Sequence, residues 1–123
     1  MDIEKNNKTS EFKRRLYKFT LDLIHFIESL PNDNVSRRLG DQLLRSGTSV
    51  IANYIEGQAA SSKKDYTNFF NISLKSANES KLWLSLLKDS GKAEKSQAKI
   101  LIDELTEIAN IFAASIITLR GKR

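Results

Sequence analysis

Apolar residues recur along most of the chain at spacings of three and four, the period of an amphipathic α-helix. The breaks in this pattern coincide with Pro31, with the segment after Glu56 and with Gly91. No stretch alternates apolar and polar positions as a half-buried strand would. The pattern therefore predicts four helices, at about residues 10–30, 35–56, 62–90 and 94–120.

The ends of the first two predicted helices carry residues with known end preferences. Thr9 or Ser10 can accept a hydrogen bond from the exposed amides that begin the first helix, and Pro31 cannot continue it. Gly57 is suited to the left-handed position that follows many helices. Four amphipathic segments with short loops between them predict an all-α domain over residues 1–123, an antiparallel up-down-up-down four-helix bundle.

Small residues mark another helix start, a helix end and a close helix contact. Ser62 and Asp65 have the spacing of a capping box, and Gly91 is suited to end the third helix. Gly47 lies on the apolar side of the second helix, where a missing side chain lets a neighbouring helix come close. The same role is expected of three serines on or beside the apolar side of the third helix: Ser73, Ser76 and Ser80.

The third and fourth helices carry more apolar surface than a single buried stripe requires. A four-helix monomer covers about one stripe per helix. The residues outside those stripes are Phe69, Ile72, Trp83, Leu86, Ile111 and Ile117. Exposed apolar patches are typical of protein interfaces. We therefore expect the protein to form a homo-oligomer.

The second helix has a polar side of unusual composition. Its members fall within a stripe about 80° wide: Arg38, Gln42, Arg45, Ser49, Asn53 and Glu56. A solvated helix face is usually rich in Lys and Glu at four-residue spacing, whereas this one has short or planar groups suited to specific hydrogen bonds. Two interpretations stay open, exposure to solvent and a hydrogen-bonded contact with a neighbouring helix or subunit. In the second, Arg45, Asn53 and Glu56 are structural or interface residues.

Composition removes several kinds of chemistry. The chain has no cysteine and a single histidine, His25, which excludes thiolate metal sites, cysteine nucleophiles and the paired Glu-x-x-His motifs of a di-iron bundle. No phosphate-binding glycine loop follows a strand. We expect no metal, no cofactor and no enzymatic activity. An enzyme acting through Glu56 and Glu79 would need both carboxylates in one closed cavity.

The charge and hydropathy of the chain bear on its partners and location. No apolar run approaches the roughly 18 residues that span a bilayer, and the N-terminus lacks the apolar core of a secretory signal. With the absence of cysteine, this favours a cytoplasmic protein without a membrane partner. The net charge of +5 permits RNA or DNA as a partner, and the chosen phosphate-binding candidates are Arg14, Arg15, Lys63 and Lys64.

A specific pattern lies between Gln42 and Glu79, and its members are Arg45, the small-residue run 46–49, Asn53, Glu56, Gly57, Lys64, Asp65, Tyr66, Phe69, Ser76 and Glu79. With this pattern the chain resembles, over about residues 12–119, a bacterial four-helix bundle family, the 23S rRNA intervening-sequence proteins. These are encoded in intervening sequences of ribosomal RNA genes and are often, misleadingly, labelled ribosomal proteins. The chain departs from the family pattern at Ile51, where proline is frequent, at Gln58, where an aromatic residue is common, and at Lys75, where glycine is frequent.

The resemblance implies a ring-forming helical bundle, a homopentamer, without known catalytic activity. A related branch serves as an accessory subunit of retroelement reverse transcriptases and binds nucleic acid and enzyme through basic surface. Our leading hypothesis is a non-enzymatic, self-associating scaffold or adaptor that contacts the phosphates of RNA or DNA. The alternative is an accessory subunit that docks on a reverse transcriptase or another protein partner.

Overall fold

The computed structural model describes residues 3–121, with side chains from residue 7 onward, and this part of the chain consists of four helices and their loops. The helices are α1 (Ile3–Glu28), α2 (Asn34–Gln58), α3 (Lys63–Asp89) and α4 (Lys95–Arg120). The all-α prediction is confirmed. Across residues 3–121, no helix combines the length and the apolar character that crossing a bilayer demands.

Each helix packs against its two neighbours around the bundle. The backbones of α1 and α3, and those of α2 and α4, do not approach each other, because these pairs lie on the diagonals. Hydrogen bonds show the direction of the α2–α3 pair: Ser46 contacts Ser80, whereas Ser73, earlier in α3, reaches Val50, later in α2. The two helices therefore run antiparallel, as short loops require.

The predicted start of α1 is wrong. α1 begins at Ile3, so Thr9 and Ser10 lie inside the helix and neither is its N-cap. The polar segment before Phe12 lacks the apolar spacing that predicts a helix. It nevertheless contains Lys and Glu, which are good helix formers. Helix propensity thus extends α1 beyond the part that packs on the core.

The starts of α2 and α3 and the end of α3 are fixed by local hydrogen bonds. Ser62 caps α3, since its side chain accepts a hydrogen bond from the amide of Asp65 at 3.1 Å, as predicted. Asp33 caps α2 by accepting from the Ser36 amide at 2.9 Å, and this bond is the main cause that lowers the pKa of Asp33. Gly91 ends α3 with a φ of +79°, a conformation that glycine adopts readily.

Two glycines of α2 allow close helix contacts. A Cβ atom added at Gly47 would overlap Leu23 Cδ2 of α1, which confirms the prediction of a close approach there. Gly57 lies within α2 and not in a left-handed position after it, so that prediction is wrong. A Cβ at Gly57 would meet Phe69 Cβ at 3.2 Å. Gly57 therefore serves close packing and does not end the helix.

The core runs along the bundle axis and ends in a group of aromatic rings. Phe112 is the largest fully buried side chain, and it contacts the rings of Phe12, Tyr54 and Phe70 at centroid distances of 5.2–6.1 Å. Edge-to-face pairs at this separation add to the free energy of burial. Burial raises the pKa of Tyr54 to about 12, because the core disfavours the ionised phenol.

Candidate interaction surfaces

The polar stripe of α2 is used in part to join α2 to α3. Ser49 Oγ and Ser76 Oγ lie 2.8 Å apart across the two helices. Asn53 Nδ2 donates to both the carbonyl and the hydroxyl oxygens of Ser49 at 2.9 Å. Of the two open interpretations, the hydrogen-bonded contact with a neighbouring helix holds for Ser49. Asn53 bonds within its own helix, to the serine that meets α3, and stays a prediction as an interface residue.

The ends of the same stripe face solvent. Arg45 is exposed and donates to Gln42 Oε1 at 2.9 Å, within its own helix. Glu56 is exposed as well, and so is Glu79, which accepts a hydrogen bond from Trp83 Nε1 at 3.1 Å. Glu56 and Glu79 therefore do not share the closed cavity that an enzyme acting through them would need. Arg45 and Glu56 stay a prediction as interface residues.

The outer side of α3 is apolar. Ile72 and Leu86 are each 43% exposed, Leu82 is exposed and Trp83 is half-buried. These four positions fall within about 100° of one another on the side of the helix that faces away from the core. We call them the α3 outer face. Of the other flanking residues named from the sequence, Phe69 and Ile111 are half-buried and Ile117 is exposed.

Arg15, one of the four phosphate candidates, forms a partly exposed ion pair between α1 and α4. Its Nε and Nη2 atoms donate to the two carboxylate oxygens of Glu104 on α4 at 2.8 and 2.6 Å, and Glu107 lies 3.5 Å away. Such paired contacts are the strong geometry for arginine and carboxylate. The guanidinium holds the pKa of Glu104 below its usual range and has its own pKa raised. Arg15 therefore joins α1 to α4, and its charge is already paired.

The other three phosphate candidates lie on two separate surfaces. Arg14 is exposed on α1, whereas Lys63 and Lys64 are exposed at the start of α3. Because α1 and α3 lie on a diagonal of the bundle, Arg14 and Lys64 do not belong to one helix-to-helix surface. The structure thus separates a group of residues that the sequence presents together.

The sequence analysis missed an exposed aromatic residue on α1. Tyr17 is 61% exposed, and with the exposed Leu21 it lies among three basic residues, Lys13, Arg14 and Lys18. These five residues, which we call the α1 outer face, line a shallow depression of about 290 Å³. The signal in the sequence was the three- and four-residue spacing of Tyr17 from Arg14 and Lys13, although this spacing alone does not show that the ring is exposed.

A groove between α1 and α4 brings Asp22, His25 and Ser29 to one depression of about 360 Å³. Their hydrogen bonds do not connect them as a catalytic relay would. His25 Nδ1 lies 3.3 Å from Glu28 Oε1, and the Ser29 hydroxyl donates to the carbonyl oxygen of Phe26 at 2.6 Å. In the described part of the chain, no group of three or more His, Asp or Glu side chains is arranged to hold a metal ion.

Comparison with known proteins decides the family. A model of the family described as 23S rRNA-intervening sequence protein matches residues 8–114. The chain belongs to this family. It is also similar to a solved structure from Bacteroides thetaiotaomicron VPI-5482, described as a protein with unknown function from the S23 ribosomal protein family. The two share 33% identity with a TM-score of 0.79, over 85% of this chain and 96% of that one. No curated protein matches.

Membership in the 23S rRNA-intervening sequence protein family confirms the resemblance drawn from residues 42–79. The match extends over all four helices, so the family and the bundle agree. The description of the solved relative assigns no catalytic activity. The function therefore has to be inferred from the exposed surfaces of this chain.

Proposed function

We propose that this member of the 23S rRNA-intervening sequence protein family is a non-enzymatic scaffold or adaptor that assembles with copies of itself and contacts the phosphates of RNA or DNA. The observation that carries the proposal is the α3 outer face. It exposes large apolar side chains on a helix whose opposite side already fills the core.

Burial of the α3 outer face would supply free energy for association. Fully burying an Ile or Leu side chain is worth about 1.5–3 kcal/mol relative to leaving it exposed. Ile72 and Leu86 are each less than half exposed at present, so each would contribute part of that value. In a ring, the face of one copy would meet a different surface of the next copy, because a rotational ring joins unlike patches. The resemblance implies a ring of five.

The test of association is the mass in solution at micromolar concentration. Multi-angle light scattering should give a multiple of 14.0 kDa for the unaltered protein, and about five copies for the ring that the resemblance implies. The double variant Ile72→Gln and Leu86→Gln should shift the mass toward the monomer while helicity by circular dichroism is retained. Ile100→Gln is the matched control, because Ile100 is 68% exposed on α4, away from this face.

Two results would contradict the proposed association. One is a monomeric mass for the unaltered protein at tens of micromolar. The other is equal dissociation by Ile100→Gln, which would show that the α3 outer face has no special part in assembly.

Phosphate contact is tested at the start of α3. Replacing Lys63 and Lys64 by Gln should weaken binding to all nucleic-acid sequences alike and reduce the salt slope by about 2, since each neutralised phosphate contributes about 0.9 to it for duplex DNA. Lys95→Gln with Lys99→Gln is the control at the opposite end of the bundle, with the same change in charge. Equal affinity and slope in the α3 variant would remove the assignment.

The alternative, an accessory subunit of a reverse transcriptase, comes from the resemblance. A reverse transcriptase encoded beside the gene, together with its co-purification on this chain, would favour that function over the scaffold. Absence of both would leave the scaffold as the better account.

A further inference from the structure

The α1 outer face presents an aromatic ring that the fold does not use. Tyr17 is 61% exposed, whereas Tyr54 is buried and Tyr66 stacks near Phe70 with a centroid distance of 4.4 Å. Among the described aromatic side chains, Tyr17 enters no ring–ring contact. Leu21 lies one turn further along α1 and widens the apolar surface beside the ring. The flat surface of the Tyr17 ring is therefore accessible in a shallow depression.

The rim of this depression carries one sign of charge. Lys13, Arg14 and Lys18 line it and no carboxylate does. Lys18 is partly neutralised, since its Nζ lies 2.8 Å from Asp22 Oδ2. Within residues 7–121, Lys13 and Arg14 take part in no ion pair. Two cations beside the ring are therefore available to an anionic ligand.

An aromatic ring between unpaired cations matches the chemistry of an unpaired nucleic-acid strand. Such a strand alternates flat bases with phosphates, and proteins that bind it without sequence preference combine a basic track with stacking side chains. A duplex hides its base faces, so it could meet the cations but not the ring. An acidic peptide could meet the cations and Leu21, but it would gain nothing particular from an aromatic ring over an aliphatic one.

We propose that the α1 outer face binds single-stranded RNA or DNA by stacking a base on Tyr17, with Lys13 and Arg14 contacting the phosphates on either side. This inference rests on the proposed contact with nucleic acid and specifies its strand form and its site. It also places the site on α1, diagonal to Lys63 and Lys64.

The experiment measures binding of the full chain to labelled oligonucleotides by fluorescence anisotropy. The probes are 20-nucleotide oligo(U) and oligo(dT) and a 20-base-pair duplex, and the variants are Tyr17→Leu and Tyr17→Phe. Loss of one stacked base should weaken single-strand binding by about 5- to 150-fold in Tyr17→Leu. Tyr17→Phe keeps the ring and should bind within about twofold of the unaltered protein. Duplex binding should be unchanged in both.

A charge variant and a cross-linking experiment locate the site. Lys13→Gln with Arg14→Gln should weaken binding to both strand forms and flatten the salt dependence, whereas Arg38→Gln, an exposed arginine of α2, should do so much less. Ultraviolet cross-linking to an oligonucleotide containing 5-iodouracil, followed by peptide mass spectrometry, should place the adduct on Tyr17. Binding of oligo(U) over oligo(dT), or the reverse, identifies RNA or DNA as the ligand.

Each other outcome overturns the inference in a distinguishable way. If Tyr17→Leu binds single strands normally while the Lys13 and Arg14 variant is weakened, the surface contacts phosphate without stacking, and the proposed contact with nucleic acid stands. If only the Lys63 and Lys64 variant is weakened, the site lies on α3. If an acidic helical peptide binds the α1 outer face and no oligonucleotide binds, or if nothing binds, the proposed contact with nucleic acid falls as well.

Discussion

The α2–α3 contact and the α1–α4 contact join neighbouring helices of the same bundle in opposite ways. α2 and α3 approach most closely, because serine residues meet between them. Ser73 Oγ donates to the carbonyl oxygen of Val50 at 2.9 Å, and Ser46 and Ser80 share a hydrogen bond at 2.7 Å. α1 and α4 stand further apart and meet through long side chains, above all Arg15 with Glu104.

This contrast shows where the fold has room for a partner. Small side chains let α2 and α3 close completely, so only the outer surfaces of that pair remain for binding. Long side chains between α1 and α4 leave grooves between the helices, two of them sharing Asp22 and Ile100. The hydroxyl groups inside the α2–α3 contact are all hydrogen-bonded, which removes the cost of burying them unpaired.

The largest effect should come from filling the closed contact. Ser73→Leu adds bulk where the side chain is fully buried and removes the bond to Val50, so we expect a loss of about 3 kcal/mol in the free energy of unfolding. Ile100→Trp also adds considerable bulk, but beside the open groove, where Ile100 is 68% exposed. It should change the free energy of unfolding by less than about 0.5 kcal/mol. Urea unfolding measures both. Similar losses would erase the contrast between the two helix pairs.

A smaller effect distinguishes two glycines of α2. Gly47→Ala forces Leu23 to move, and we expect a net loss of about 1–2 kcal/mol, after the gain in helix propensity is subtracted. A Cβ added at Gly40 would lie 3.3 Å from Leu30 Cδ1 and 3.5 Å from Ile27 Cγ2, both in half-buried side chains. Gly40→Ala should change the free energy of unfolding by less than about 0.5 kcal/mol. Thermal unfolding of the pair tests this, and a neutral Gly47→Ala would show that Leu23 has space to retreat.

The smallest effect should come from the ion pair across α1 and α4. Both partners are about one-third exposed, so a double-mutant cycle with Arg15→Gln and Glu104→Gln should give a coupling of about 0.5–1 kcal/mol. A coupling above about 2 kcal/mol would mean that the α1–α4 contact is not weaker than the α2–α3 contact.

The same pair predicts a dependence on pH. Arg15 lowers the pKa of Glu104 in the folded state below its ordinary value of 4.5. The stabilisation is therefore present above that value and is lost as the pH falls through the folded pKa. The difference in melting temperature between the unaltered protein and Glu104→Gln should shrink from pH 6 to pH 3. If this difference in melting temperature stayed constant with pH, the ion pair would not be its cause.

Much of the bundle could be predicted because its causes are local. Helix period, the Ser62 cap and the left-handed Gly91 depend on residues within a few positions of each other. Gly57 shows the limit of such reasoning. A glycine near a helix end can serve a left-handed turn or a close contact, and only the position of Phe69 distinguishes the two.

The candidate surfaces were predicted less well, since a side chain's availability depends on distant partners. Arg14 and Arg15 are adjacent and equivalent in the sequence, yet one is exposed and the other is bound to a carboxylate 89 positions away. Likewise, the polar stripe of α2 did not show which of its members meet α3, as Ser49 does, and which face solvent, as Arg45 does.

Four helices, most of their boundaries and the family could be predicted from the chain alone, because the apolar period, the caps and the Arg45–Glu79 pattern each lie within a short segment. Tertiary structure decided which helices are diagonal, which charges are already paired and which ring is left outside. Those properties follow from contacts between segments far apart in the chain, and they leave the α1 outer face open to a ligand.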